Sequence, residues 1–136
     1  MDDLRKEMLK ILGYSDKAID VIAGELHISD MSDPSVHVRH QAGCGDVIML
    51  DLRIDDGIIR DASYRFVGCT GIQASTSGMA EMIIGRHIDD ADHIGTMDIV
   101  NWLDGLPESA HDCAEAASNA LHEAIAAYRS NGRSGA

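Results

Sequence analysis

Hydrophobic positions in the middle of the chain recur with a period of two. Between Asp46 and Asp55, Ile48, Leu50, Leu52 and Ile54 fall on one face, with Met49, Asp51 and Arg53 on the other. That alternation predicts a half-buried strand. Ile58 to Val67 repeats it, setting Ile58, Ala62, Tyr64 and Phe66 against Asp61, Ser63 and Arg65. Asp55-Asp56-Gly57 between the two runs signals a hairpin. Ser35 to Ala42 alternates more loosely around Val36 and Val38 and predicts a third strand. A two-residue Asp56-Gly57 turn sets Ile48 against Arg65, whereas a three-residue loop ending in a left-handed Gly57 sets Ile54 by Ile58, Leu50 by Ala62 and Ile48 by Tyr64. The second register joins apolar to apolar and is the expected one. It places Cys44 opposite Gly68, one residue from Cys69.

Elsewhere the period lengthens to that of a helix. Asp2 to Leu12 predicts a short, poorly anchored helix with no functional signal of its own. Ser15 caps a second, with Ala18, Ile19, Val21, Ile22 and Leu26 at helical spacing and an end near His27; Ser29 to Pro34 is a polar loop. Gly71 to Ile84 carries a stripe of Ile72, Ser75, Met79, Met82 and Ile83, weakened by Gly78 and closed by Gly85. Asp89 to His93 is turn-like, and Met97 to Leu103 is a short helix with Trp102 as its core anchor. Leu106-Pro107 opens a last helix, which runs to about Arg129 on Ala117, Leu121, Ala124, Ile125 and Tyr128. The expected organisation is an extension over 1–13, one domain over 14–129 and a disordered tail over 130–136, with no internal repeat.

Composition narrows the partners. Eleven basic residues against 23 acidic ones give a net charge of −12 without a Lys/Arg cluster. Nucleic acid and anionic membrane are therefore poor partners. No apolar run reaches transmembrane length, and the first 13 residues lack a signal-peptide core, so a cytoplasmic protein is expected. Three cysteines without short spacing do not form a disulfide framework.

Those cysteines carry the candidate chemistry. Cys69 stands where a strand ends and a helix begins, and the positive end of a helix dipole favours the thiolate of a cysteine placed there. The bland alternative is a small buried apolar residue at a strand end. Cys113 lies one turn before Ala117 on the last helix's inward stripe. Cys44 and Asp46 share the strand face of Ile48 and Leu50. An aspartate at the edge of an apolar face needs a partner, and a metal is one candidate. Three thiolates with one oxygen or nitrogen make a tetrahedral Zn²⁺ site or an iron–sulfur anchor. The gaps of 25 and 44 residues match no short zinc or ferredoxin pattern, so three unrelated buried cysteines stay open as a reading. His111, two residues before Cys113, is a further candidate ligand, while His27, His37, His40, His87, His93 and His122 read as scattered surface residues. No Ser-His-Asp arrangement, phosphate loop or acid/base pair is evident, and Ser75, Thr76 and Ser77 read as helix-face residues.

In order and spacing these blocks resemble the IscU/NifU-type iron–sulfur cluster assembly scaffolds. The blocks are Tyr14-Ser15-Asp16-Lys17-Ala18-Ile19-Asp20, Cys44-Gly45-Asp46, the Asp56–Ala62 hairpin, Gly68-Cys69 with Ala74-Ser75-Thr76-Ser77, Met79, Glu81 and Gly85-Arg86, and Leu106-Pro107 with Cys113. The likeness spans roughly Tyr14 to Tyr128. It implies an α+β fold of SufE/NifU type, in which a three-stranded antiparallel sheet carries the N-terminal helix and several others on one face. It also implies a non-enzymatic scaffold that receives persulfide sulfur from a cysteine desulfurase, adds iron, forms a labile [2Fe–2S] cluster on Cys44, Cys69 and Cys113, and passes it to apo-proteins. Asp46 matches the aspartate that assists metal entry and keeps the cluster exchangeable, Zn²⁺ is the expected occupant of the cluster-free site, and Cys113 is a candidate persulfide acceptor.

Departures from the pattern bear on the fourth ligand. The family's histidine before the third cysteine is Asp112 here, with His111 one residue earlier, about 100° away round a helix. Asp46, His111 and Asp112 are all candidates. Glu108-Ser109-Ala110 lacks the usual proline and lysine after Leu-Pro, which argues against handling by an Hsp70-type chaperone. The Asn-Pro-Arg-Asn stretch after the first helix is absent, and Ala42 replaces a proline, so a diverged member is implied. The competing readings are a zinc-dependent sulfurtransferase accepting persulfide sulfur, whose usual insertion between the second and third cysteines has little room here, and a structural zinc or metal-free interaction protein.

Overall fold

The computed structural model describes residues 1–43 and 45–135, without the side chains of 132–135. Its order is α1 (Asp3–Ile11), α2 (Asp16–Gly24), β1 (Val36–Gln41), β2 (Val47–Asp55), β3 (Ile58–Val67), α3 (Thr70–Ile83), α4 (Ile88–Ala91), α5 (Thr96–Trp102), a 3₁₀ turn (Glu108–Ala110) and α6 (His111–Gly135). The strands form one antiparallel sheet in the order β1-β2-β3, as the alternating runs predict. Helix α6 packs across β1 and β2, α3 lies against β3 and α6, and α2 and α5 cover α3 from outside. None of the described helices is long and apolar enough to cross a membrane.

The hairpin register differs from the expected one by two residues. Leu50 faces Tyr64, Leu52 faces Ala62 and Val47 faces Val67, while near the turn Ile54 pairs with Ile59 and Asp55 with Ile58. The turn is the tight Asp56-Gly57 one, with both residues at positive φ. A bulge between Arg53 and Ile54 then restores the matching of apolar faces, and it does so without the longer loop. Ile59, fully buried, takes the core place expected of Ile58. Extended to the strand ends, this register sets Asp46, not Cys44, against Gly68.

Helix α3 is buried on almost every side from Gly71 to Ala80. Its small residues permit that. A Cβ on Gly78 would lie 3.1 Å from the Leu103 side chain, so the glycine that weakens the helix locally lets α5 close on it. Leu103, fully buried, is the anchor of that segment. Trp102 is only half-buried, its ring beneath the Lys17 ammonium at 3.9 Å. Two further elements extend what the sequence predicts. Ile88–Ala91 is a turn of helix capped by His87, whose Nδ1 accepts from the Asp89 amide at 3.1 Å. Helix α6 continues to Gly135 where a tail was expected from residue 130, because Ser130 to Gly135 holds no proline and extends an already packed helix.

Candidate functional site

Six segments meet at one end of the molecule. The β1–β2 loop arrives there as a tight turn, in which the Ala42 amide donates to the Asp46 carbonyl at 2.8 Å and the Gly45 amide to the Ala42 carbonyl at 2.9 Å. Ser15 caps α2 through the Ala18 amide at 3.0 Å and also donates to the Leu103 carbonyl. That joins the start of α2 to the end of α5. Gly13, at φ +102°, lets the chain pass over Pro107, 3.6 Å from where its Cβ would be. The N-termini of α3 and α6 complete the group.

Cys69 occupies the N-cap position of α3 in extended backbone, and its carbonyl accepts from the Ile72 and Gln73 amides at 3.1 and 3.3 Å. Its side chain makes no capping bond, which leaves the sulfur exposed. Cys113 is buried in the first turn of α6. The two sulfurs lie 3.6 Å apart, far beyond a disulfide bond. Two thiolates on one tetrahedral metal, at metal–sulfur bonds of about 2.3 Å, stand about 3.8 Å apart. The pair therefore fits a shared metal.

Two glycines make this geometry possible. A Cβ on Gly71 would lie 2.8 Å from the Cys113 sulfur and 3.2 Å from the Ala110 Cβ, so only glycine lets α6 bring that sulfur to α3. A Cβ on Gly68 would lie 2.9 Å from both Cγ and Oδ2 of Asp46, so the carboxylate sits against the backbone one residue before Cys69. Of the expected neighbours, Cys69 and Cys113 thus meet through their sulfurs, and Asp46 meets the backbone of Gly68. Cys44 lies outside the described residues. Among the described residues no three His, Cys, Asp or Glu side chains converge closely enough to hold a metal ion.

His111 and Asp112 divide in a way the helical rotation foreshadows. His111 is half-buried and its Nε2 donates to the Leu106 carbonyl at 3.3 Å, which ties it into the turn that opens the helix. Asp112 is exposed and lines a hollow of about 360 Å³ with His40, Gly43, Glu115 and Asn119, beside the β1–β2 loop. The other histidines serve elsewhere, several of them in contacts rather than as solvated residues. His27 meets Glu81 at 2.5 Å, His37 meets Asp51 at 2.5 Å, His40 meets Glu123 at 2.9 Å and His122 donates to the Ile94 carbonyl at 2.7 Å.

Tyr14 is the site residue that the pattern of cysteines does not reveal. Burial, and then the electrostatic influence of Cys69 and Cys113, hold its hydroxyl above the ordinary phenol range. Its only signal in the sequence is its place at the head of the block ahead of α2. Ser75, Thr76 and Ser77 are fully buried structural residues, Ser77 sharing a hydrogen bond with the Tyr64 hydroxyl and donating to the Leu26 carbonyl.

Comparison with known proteins gives one family. The model of the NifU-like N terminal domain matches residues 14–134. The iron-sulfur cluster assembly scaffold protein IscU of Escherichia coli is 32% identical over 124 residues, covering 88% of this chain and 96% of that protein. The nitrogen fixation protein NifU of Trichormus azollae is 32% identical over 126 residues, covering 85% of this chain; the chain spans only 42% of its length. The N-terminal part of a NifU-like protein from Brucella abortus superposes with a TM-score of 0.68 at 18% identity, over 85% of this chain and 94% of that one, which shows a shared fold.

Proposed function

From the premise that the chain belongs to the IscU/NifU family of iron–sulfur cluster assembly scaffolds, we propose that it assembles a labile [2Fe–2S] cluster between Cys44, Cys69 and Cys113 and passes it to apo-proteins. The observation that carries this reading is the 3.6 Å approach of the Cys69 and Cys113 sulfurs, with the Asp46 carboxylate against Gly68, one residue before Cys69. Two cysteines bracket one iron, and Cys44, from the adjoining loop, is assigned to the other. Asp46, or Asp112 across the hollow from Gly43, supplies an oxygen where the set lacks a fourth sulfur. His111 is engaged by Leu106 and is the weakest of the three fourth-ligand candidates.

Sulfur arrives as the persulfide of a cysteine desulfurase. A thiolate of the scaffold attacks the outer sulfur, the persulfide S–S bond breaks and the desulfurase thiolate leaves, so one sulfane sulfur moves with no net redox change. Cys69, exposed at its helix end, is the sulfur that a docked partner meets first, whereas the buried Cys113 is better placed to hold iron. This reverses the sequence-based preference for Cys113 as acceptor. Reducing two sulfane sulfurs to sulfide takes four electrons. Two ferrous ions supply two, and a thiol or protein reductant supplies the rest.

The same sulfur separation fits a single Zn²⁺, which favours a second reading: a zinc-bound protein that accepts persulfide sulfur and builds no cluster. One anaerobic experiment separates them. The protein is incubated with a cysteine desulfurase, cysteine, ferrous iron and dithiothreitol, then assayed for iron, sulfide, zinc and visible absorption. Two irons and two sulfides per site, transferable to an apo-ferredoxin, support the scaffold. Stoichiometric zinc with sulfur transfer and no chromophore would sink it.

A further inference from the structure

Helix α1 is joined to the body by little of its own surface. Its one buried side chain is Leu9, 5% exposed, whereas Leu4, Met8, Ile11 and the following Leu12 are 71, 55, 80 and 63% exposed. A nine-residue helix held by one apolar contact is marginal in water. The helix also precedes the segment matched by the family model, which begins at residue 14. Within the helix Leu4, Met8 and Ile11 follow one another at intervals of four and three, the spacing of a coiled-coil seam, and Met1 precedes the extended N-cap Asp2. Leu9 and the half-buried Lys6 point the other way, toward α2, so the seam faces directly out.

We propose that this seam is covered by a second copy of the same chain, with the two α1 helices packed antiparallel about a two-fold axis. An antiparallel copy brings Leu4 of each helix to Met8 of the other, a pairing that the two-fold axis repeats, with Ile11 at either end. Charge order selects the same arrangement. The helix begins with Asp2 and Asp3 and ends with Lys10, so antiparallel copies set acidic ends beside basic ends and oppose their dipoles; parallel copies would stack like ends. Residues 1–12 carry three acidic and three basic side chains, in a chain of net charge −12. This is the stretch on which a second acidic copy is not repelled. The same balance removes the attraction for anionic lipid that a surface-seeking helix needs. Two helices of about 14 Å bury less than the ~1,200 Å² of a standard interface, so the dimer is weak and half-formed on the order of 100 µM.

Sedimentation velocity of the untagged full chain tests this, from about 5 to about 500 µM. The expected result is a weight-average sedimentation coefficient that rises from the monomer value toward the dimer value. Leu4→Glu with Ile11→Glu should stay monomeric throughout, with unchanged far-ultraviolet circular dichroism, because both side chains are exposed. A wild type that is monomeric at the highest concentration overturns the proposal, as does a double variant that associates equally well. If the wild type stays monomeric while the double variant loses affinity for a cysteine desulfurase, the seam belongs to that partner and the second copy is rejected.

Discussion

The sulfur of Cys113 and the backbone of Gly71 approach so closely that a Cβ at position 71 would lie 2.8 Å from Sγ. The site is therefore set by a missing side chain as much as by the cysteines. Gly71→Ala gains about 1 kcal/mol of helix propensity and loses a comparable amount to the overlap, so its stability should stay within about 1 kcal/mol of wild type. Its sulfur pair should open instead, with iron and sulfide retained per chain falling several-fold after gel filtration. A variant that loads like wild type would show that α6 gives way without cost to the site.

Asp46 and Gly68 make a second pair of this kind, with the carboxylate 2.9 Å from where a Cβ of residue 68 would be. If the carboxylate promotes release of the cluster, Asp46→Ala should slow transfer to apo-ferredoxin about tenfold or more, with cluster content equal or higher. Gly68→Ala, which pushes the carboxylate aside without removing it, should slow transfer in the same direction by less. Transfer followed by the change in visible circular dichroism decides. Faster transfer in Asp46→Ala would assign the carboxylate to retention.

How much of this was legible in the sequence follows from which forces are local. The strand faces of Ile48, Leu50, Leu52 and Ile54 and the buried stripe of α6 come from periodicity, and periodicity is written in order along the chain. The register was not. The Asp56-Gly57 turn was legible, but the bulge at Arg53/Ile54 that lets the apolar faces match across so tight a turn leaves no residue signature. The meeting of Cys69 with Cys113 was anticipated from their inward positions, but its tightness depends on Gly71, which reads locally only as a poor helix former. Tyr14 escaped because what links it to the site is an electrostatic influence across the fold, from the head of α2 to Cys69 and Cys113.

Gly57 offers a control that is distant in role. It stands at φ +77°, and a Cβ there would lie 2.4 Å from His87 Nε2. Gly57→Ala combines left-handed strain of about 1–2 kcal/mol with displacement of the His87 ring, for a loss of roughly 2–3 kcal/mol. The melting temperature should fall by roughly 6–10 °C, while the iron and sulfide bound per folded chain stay unchanged. A melting temperature within a degree or two of wild type would mean that the hairpin and the ring both relax freely.

Tyr64 sets the alkaline limit of the fold. Its ring is fully buried, and its one hydroxyl proton faces both the Ser77 hydroxyl at 2.5 Å and the Gln73 carbonyl at 3.1 Å, since the Ser77 proton goes to the Leu26 carbonyl. Burial pushes its pKa up to about 12, against a smaller opposing effect of the Ser77 hydrogen bond. A phenol raised in the folded state favours folding while it stays protonated. Its contribution, roughly 2–3 kcal/mol, is therefore full below pH 10 and is lost as pH rises from about 10 to about 12. Denaturant unfolding measured from pH 8 to 12 should show stability falling over that window. Tyr64→Phe should lower stability at pH 8 by roughly 1–2 kcal/mol, because the Ser77 hydroxyl and the Gln73 carbonyl each lose a partner, and flatten the alkaline decline. An equally steep decline in Tyr64→Phe would assign the alkaline transition to other groups.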